Sequence, residues 1–201
     1  MQTALIALAA YLLGSISFAI VVSRAMRLPD PRGYGSGNPG ATNVLRSGSR
    51  AAAALTLAGD AAKGWLAVWL TVLYTGQAPA AGLEAPLAGL CAFLGHLYPV
   101  FHRFQGGKGV ATAVGVLIGI DAWLGLATLV SFGVVALFFR MVSFASLLAA
   151  VFAAGFTFWL FGLRPVTAVV AVMVVLLVAR HRDNIGRLLR GEERRIGENK
   201  G

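Results

Sequence analysis

The run Val110-Ala-Thr-Ala-Val-Gly-Val-Leu-Ile-Gly119-Ile-Asp121-Ala-Trp-Leu-Gly-Leu-Ala-Thr-Leu-Val-Ser-Phe-Gly-Val-Val-Ala-Leu-Phe-Phe139 decides the fold. As one helix it would extend ~45 Å at the usual rise, much further than the ~30 Å of a hydrocarbon core. Asp121 stands near its middle, just after Gly119. The run is therefore read as two short helices meeting near Gly119–Asp121. Five further apolar runs lie at about Thr3–Ser23, Ala51–Tyr74, Pro86–Phe101, Ser143–Phe161 and Pro165–Ala179, which makes seven crossings.

Charge supports that count. With the N-terminus outside, one face receives the arginines of Arg24–Arg50, then Arg103, Lys108 and Arg140, and a tail with Arg180, Arg182, Arg187, Arg190, Arg194, Arg195 and Lys200. Arg164 alone is left opposite, with Lys63 inside the second run. Six crossings would export the tail, against the positive-inside rule. The positive-inside pattern also accounts for the net charge of +9 without invoking nucleic acid. With 58% apolar and 12% charged residues and a mean hydropathy of +0.77, the composition excludes a soluble domain. The first run lacks the basic start of a signal peptide. The expectation is an all-α, polytopic membrane protein, residues 1–201 forming one domain, with short partial helices and polar loops building a site on one face. The single Cys91 permits no intramolecular disulfide and reads as a small buried hydrophobe.

Three polar clusters fall on that face. The first, Gly35-Ser-Gly-Asn-Pro-Gly-Ala-Thr-Asn-Val-Leu-Arg46, gathers Ser36, Gly37, Asn38, Gly40, Thr42, Asn43 and Arg46. Amides, hydroxyls and a guanidinium fork of this density suit phosphate oxygens. Its G-x-G-x-x-G spelling is not a dinucleotide fingerprint, because a membrane helix precedes it rather than a strand. The second cluster, Gly106, Gly107, Lys108, Gly109 and on to Thr112, fails the Walker pattern. It keeps the physics of one: glycine amides, a point charge and a helix start near Val110. The third places His181 and Asn184 at i and i+3 on one helix face. Asp60 and Lys63, also i and i+3, read as a mutual ion pair inside the membrane. A transporter of phosphate esters or other anions is the alternative. Such folds usually place the site at the midplane between repeats, and no repeat is visible here.

The segments GSGNPGATNVLR, HLYPVFHRFQGGKGVAT and RHRDNIGRLLRGEE, with Asp60-Ala-Ala-Lys63-Gly64, resemble the signatures of the bacterial acyl-phosphate-dependent glycerol-3-phosphate acyltransferases. The resemblance runs from Gly14 to Glu193. It implies a seven-helix inner-membrane enzyme with its active site and C-terminus cytoplasmic. Such an enzyme moves a fatty acyl group from acyl phosphate to the sn-1 hydroxyl of glycerol 3-phosphate, giving lysophosphatidic acid. It also implies Ser36, Arg46, Lys108, His181 and Asn184 as catalytic residues, Gly106, Gly107 and Gly109 as glycerol 3-phosphate contacts, and Glu192 as structural. Membrane lipids and the soluble enzyme that forms acyl phosphate are its implied partners; no cofactor or metal is expected. None of His96, His102 and His181 starts the His-x4-Asp pattern of other acyltransferases, since Phe101, Gly107 and Gly186 stand where the acid would be. No Ser-His-Asp set is evident either. Direct attack by the glycerol hydroxyl is left, with the substrate phosphate or His181 as base.

Overall fold

The computed structural model describes residues 1–198. Asn199, Lys200 and Gly201 lie outside the described residues, so Lys200 of the expected basic tail is not placed. Ten α-helices follow in order: α1 Gln2–Gly14, α2 Phe18–Ala25, α3 Ala41–Leu45, α4 Arg50–Thr75, α5 Glu84–Leu97, α6 Val110–Ile120, α7 Ala122–Phe139, α8 Val142–Phe161, α9 Pro165–Arg180 and α10 Arg182–Leu189. No strand occurs among the described residues.

The long apolar run breaks as expected. α6 stops at Ile120, and the Asp121 carboxylate caps α7 by accepting from Leu124 N–H at 2.8 Å, so this acid satisfies an orphan amide at a helix start. Elsewhere the ends follow local chemistry. Ser49 caps α4, Gly76 in the left-handed region ends it, Pro99 lies just beyond the end of α5, and Pro165 opens α9.

The first run does not form one helix. It bends by 41° between α1 and α2, at Ser15–Ser17. Ser15 Oγ donates to Tyr11 O and accepts from Val100 N–H. The Ile16 carbonyl, freed by the break, accepts from Lys63 Nζ at 2.7 Å. α9 and α10 likewise meet at 61°. Among the described residues, α7 and α8 alone are long and apolar enough to cross a membrane singly; the α1–α2 and α9–α10 pairs are so when each is taken as one bent span.

Lipid-like surroundings are written on α7 and α8. Trp123, Leu137, Phe138 and Trp159 are each more than 70% exposed, an outward apolar display with no place in water. Between helices, small residues set the spacing. At the α4–α6 seam, a methyl on Gly115 would overlap the Ala61 carbonyl and one on Gly64 the Thr112 carbonyl. Without a hydrophobic drive between helices in lipid, such close backbone approach supplies the dispersion contact that holds them. A core around Phe93, Leu97, Val116, Leu124, Val170 and Leu177 then joins α5, α6, α7 and α9.

Candidate active site

The loop after α2 is organised by one amide. Asn43 is 2% exposed, and its Oδ1 accepts from Ser36 N–H at 2.9 Å, Ser36 Oγ at 3.2 Å and Arg46 Nη1 at 3.3 Å. Its Nδ2 donates to the Pro31 and Tyr34 carbonyls. Asn43, expected to touch substrate, therefore spends its polar atoms on the loop, and it holds Ser36 and Arg46 side by side. Gly35 is needed beside it, at φ +63° and with no space for a Cβ next to Asn43 Oδ1. Ser36, Gly37, Thr42 and Arg46 face outward, Asn38 is half-buried, and Gly40 precedes the short α3.

The second cluster lies between α5 and α6. Arg180, at the end of α9, donates to the carbonyls of Gly106 at 2.8 Å and Gly107 at 3.2 Å and stacks over Tyr98. Gly107 N–H donates to His96 O at 3.1 Å. The peptide between Gly106 and Gly107 is thus held at both ends. In the next peptide only the carbonyl is held, which turns the Lys108 N–H away from Arg180 because a trans peptide opposes its two groups. That amide, the Gly109 amide and the first-turn amides of α6 have no partner among the described residues. Free amides of this kind at a positive helix end have the chemistry that suits an anion. Gly109, at φ +86°, makes the turn and packs on Phe93. Thr112, expected on the substrate side, is fully buried, and its carbonyl packs against Gly64.

Lys108 joins the second cluster to the third by donating to Asn184 Oδ1. Asn184 Nδ2 in turn donates to Glu193 Oε1 at 2.5 Å, and Glu193 also accepts from Ser143 Oγ and Arg187 Nε, both at 2.7 Å. Glu192, expected to be structural, is exposed and its carboxylate pairs with Arg190, whereas the inward-facing bonds are made by its neighbour Glu193. The tail beyond Leu189 turns back to the α7–α8 junction, where Ile196 N–H donates to Arg140 O and Arg140 Nη2 to Ile196 O. That return points Glu193 inward and Glu192 outward. His181 is 2% exposed, and its Nδ1 lies 2.8 Å from Leu177 O. A carbonyl only accepts, so Nδ1 carries the proton in this arrangement and Nε2 is left as the acceptor.

The charges respond to this enclosure. Burial pushes the Lys108 ammonium down to about 8, against the pull of Glu193. Burial also brings the His181 imidazole down to about 4, with Lys108 adding to the effect and the Leu177 carbonyl opposing it. Burial alone would raise the Glu193 carboxyl, but hydrogen bonds from Ser143, Asn184 and Arg187 outweigh it and hold it below the usual range. Arg46 is lowered by burial and by Arg194 and Arg187, with Glu193 opposing. Arg46 thus lies within electrostatic reach of Arg187, Glu193 and Arg194. Hydrogen bonds through Lys108, Asn184 and Glu193 tie the second segment to the third, and Arg46 of the first lies within electrostatic reach of both. Arg180, Ser143 and Glu193 hold these segments in place, and none of the three was singled out from sequence.

Residues 4–191 match the glycerol-3-phosphate acyltransferase family. The chain belongs to it. It is 61% identical over 198 residues to a glycerol-3-phosphate acyltransferase of Ralstonia nicotianae, covering 98% of this chain and 96% of the relative. The corresponding protein of Cupriavidus necator is 59% identical over 203 residues, covering 100% and 99%. Among solved structures, PlsY (YgiH), an integral membrane glycerol 3-phosphate acyltransferase, matches in its glycerol 3-phosphate form with a TM-score of 0.91 and 37% identity over 98% of this chain and 96% of that one. Its lysophosphatidic acid form matches with a TM-score of 0.90 and 36% identity over the same shares. This family member is therefore an acyltransferase and an integral membrane protein.

Proposed function

We propose that this acyltransferase moves a fatty acyl group from acyl phosphate to the sn-1 hydroxyl of glycerol 3-phosphate, releasing lysophosphatidic acid and inorganic phosphate. The observation that carries the reading is the join of Lys108 to Asn184 beside Arg46 and the unpaired amides of Lys108 and Gly109. Two substrates that both end in phosphate need such a cationic edge, and the apolar helices beside it can take the acyl chain.

The phosphate of glycerol 3-phosphate fits the free amides of Lys108 and Gly109, the first-turn amides of α6 and the Lys108 ammonium, and Arg46 offers a planar fork to a second phosphate. The sn-1 hydroxyl attacks the acyl carbonyl, the new ester C–O bond forms, and the C–O bond to the leaving phosphate breaks. Oxyanion charge in between falls to the Ser36 hydroxyl, turned from its long 3.2 Å bond to Asn43 Oδ1, and to the second Nδ2 hydrogen of Asn184, the first being held by Glu193. The hydroxyl proton passes to the substrate's own phosphate, whose second pKa is about 6. His181 is the weaker candidate for base, because burial keeps its imidazole at about 4. Catalysis rests mainly on positioning.

In the membrane, seven crossings are formed by the α1–α2 pair, α4, α5, α6, α7, α8 and α9, with the N-terminus outside and the clusters on the cytoplasmic face of the inner membrane. The soluble enzyme that makes acyl phosphate would then deliver on that face. α6, at 11 residues, spans only ~16 Å, which sinks the glycine loop below headgroup level and keeps its contacts less screened. Purified protein given labelled glycerol 3-phosphate and palmitoyl phosphate should yield labelled lysophosphatidic acid with equimolar phosphate. Product from palmitoyl-CoA but not from palmitoyl phosphate overturns the donor assignment.

A further inference from the structure

The glycine loop rests on a residue that takes no part in the chemistry above. His96, in the last turn of α5, is 7% exposed. Its carbonyl accepts from Gly107 N–H, and a methyl on Gly106 would overlap that same carbonyl. A methyl on Gly107 would overlap His96 Nε2. Both glycines are therefore seated on one side chain and its own peptide.

The opposite edge of the imidazole faces a buried charge pair. His96 Nδ1 lies 3.5 Å from Asp60 Oδ1, and the same oxygen lies 2.9 Å from Lys63 Nζ, with side-chain exposures of 3% for Asp60 and 1% for Lys63. The Lys63–Asp60 contact is electrostatic, since Oδ1 has no aligned donor. The aligned hydrogen bond of Lys63 goes to Ile16 O, in the α1–α2 break that leads into the first cluster. Ser17, Lys63, His96, Gly106 and Gly107 meet around a crevice with no room for a water molecule. This is a packed joint, not a ligand pocket.

Packing alone does not call for these residues. A buried ionic set in a membrane is costly, and apolar side chains of similar volume can match or exceed its stability. The imidazole has what an apolar residue lacks: a rigid plane with one polar edge on Asp60 and the other against the loop. We propose that His96, held in place by the Asp60–Lys63 pair, is a positioning residue that sets the height and peptide orientation of Gly106–Gly107, so that the Lys108 and Gly109 amides meet the substrate phosphate. Arg180 holds the carbonyls of the same two glycines from the other side. The proposal rests on the assignment of this loop to glycerol 3-phosphate.

The test is a reciprocal rescue. Steady-state kinetics are measured for His96→Ala, Gly107→Ala and the double variant, with melting temperatures in the same detergent. Each single change should raise KM for glycerol 3-phosphate about tenfold or more and leave KM for palmitoyl phosphate within about threefold. In the double variant the new methyl occupies the space the imidazole vacates, so its KM should be several-fold lower than that of Gly107→Ala alone. If His96→Ala does not fold, His96→Asn keeps a polar group facing Asp60 while removing the Nε2 edge, and it should show the same KM shift at a native melting temperature. Multiplicative losses in the double variant, or an unchanged KM in a folded His96→Asn, overturn the proposal. Rescue seen only in the palmitoyl phosphate kinetics would instead overturn the assignment of the loop and leave the His96–Gly107 coupling intact.

Discussion

Raising the pH from 7 to 9 should weaken this acyltransferase by discharging Lys108. Burial pushes its ammonium down to about 8, so it is about nine-tenths charged at pH 7 and about one-tenth at pH 9. A lysine with a depressed value loses its charge as pH rises through that value, so the loss of activity lies on the alkaline side. If the charge is required for productive binding, kcat/KM for glycerol 3-phosphate falls roughly tenfold across that interval. The fall in kcat alone should come at higher pH, because a bound phosphate dianion holds the proton on Lys108 and kcat reports the complex. The assay is extraction of labelled lysophosphatidic acid across matched buffers, corrected for enzyme-free hydrolysis of acyl phosphate. Lys108→Arg separates this group from others that titrate nearby: its guanidinium stays charged to beyond about pH 12, so the fall between pH 7 and 9 disappears even where absolute activity is lower. A wild-type profile flat to pH 9, or the same fall in Lys108→Arg, refutes the reasoning.

Ser36→Ala should lower kcat on the order of 10²-fold, as loss of one oxyanion donor does, while Cys91→Ala keeps most activity; a trapped acyl–Ser36 ester in mass spectra would contradict direct transfer. Arg46→Lys should lose most activity despite its retained charge, because the fork and its bond to Asn43 are gone; near-native kinetics would remove Arg46 from phosphate recognition. If the substrate phosphate is the base, a phosphonate analogue of glycerol 3-phosphate with a higher second pKa should move the acidic limb of kcat upward, and His181→Gln should leave that limb in place; the reverse pattern assigns the base to His181. Ser49→Cys in intact cells should resist impermeant thiol reagents, and labelling from outside would invert the proposed topology.

How far the sequence could be read depended on whether a feature was local. Asp121 announced the break between α6 and α7 because a helix cap is decided within four residues. The Ser15–Ser17 break gave no such sign. Its free Ile16 carbonyl is satisfied by Lys63, 47 residues away, and small polar residues in an apolar run read equally well as continuous helix. The same division separates the site residues. Ser36, Arg46, Lys108 and Asn184 lie within dense polar motifs, and the structure brings these motifs together. Arg180 was legible only as one more inward-side charge, although its guanidinium holds the glycine loop.

At two positions the structure assigns partners that the sequence could not. Glu192 and Glu193 are indistinguishable in sequence until the tail's return to Arg140 fixes which one points inward. Asn43 sits among ligand-like residues, yet its five hydrogen bonds hold the loop itself. In both cases residue type signalled hydrogen bonding, but only the path of the backbone assigned the partner. The one signal that could have found His96 was an economic argument about burial: Asp60 and Lys63 cannot be left partly paired in a hydrocarbon core, so a third polar group was required nearby. His96 is the histidine that lies inside an apolar run. That group also lies against Gly106 and Gly107, so the buried charges and the glycine loop share one side chain.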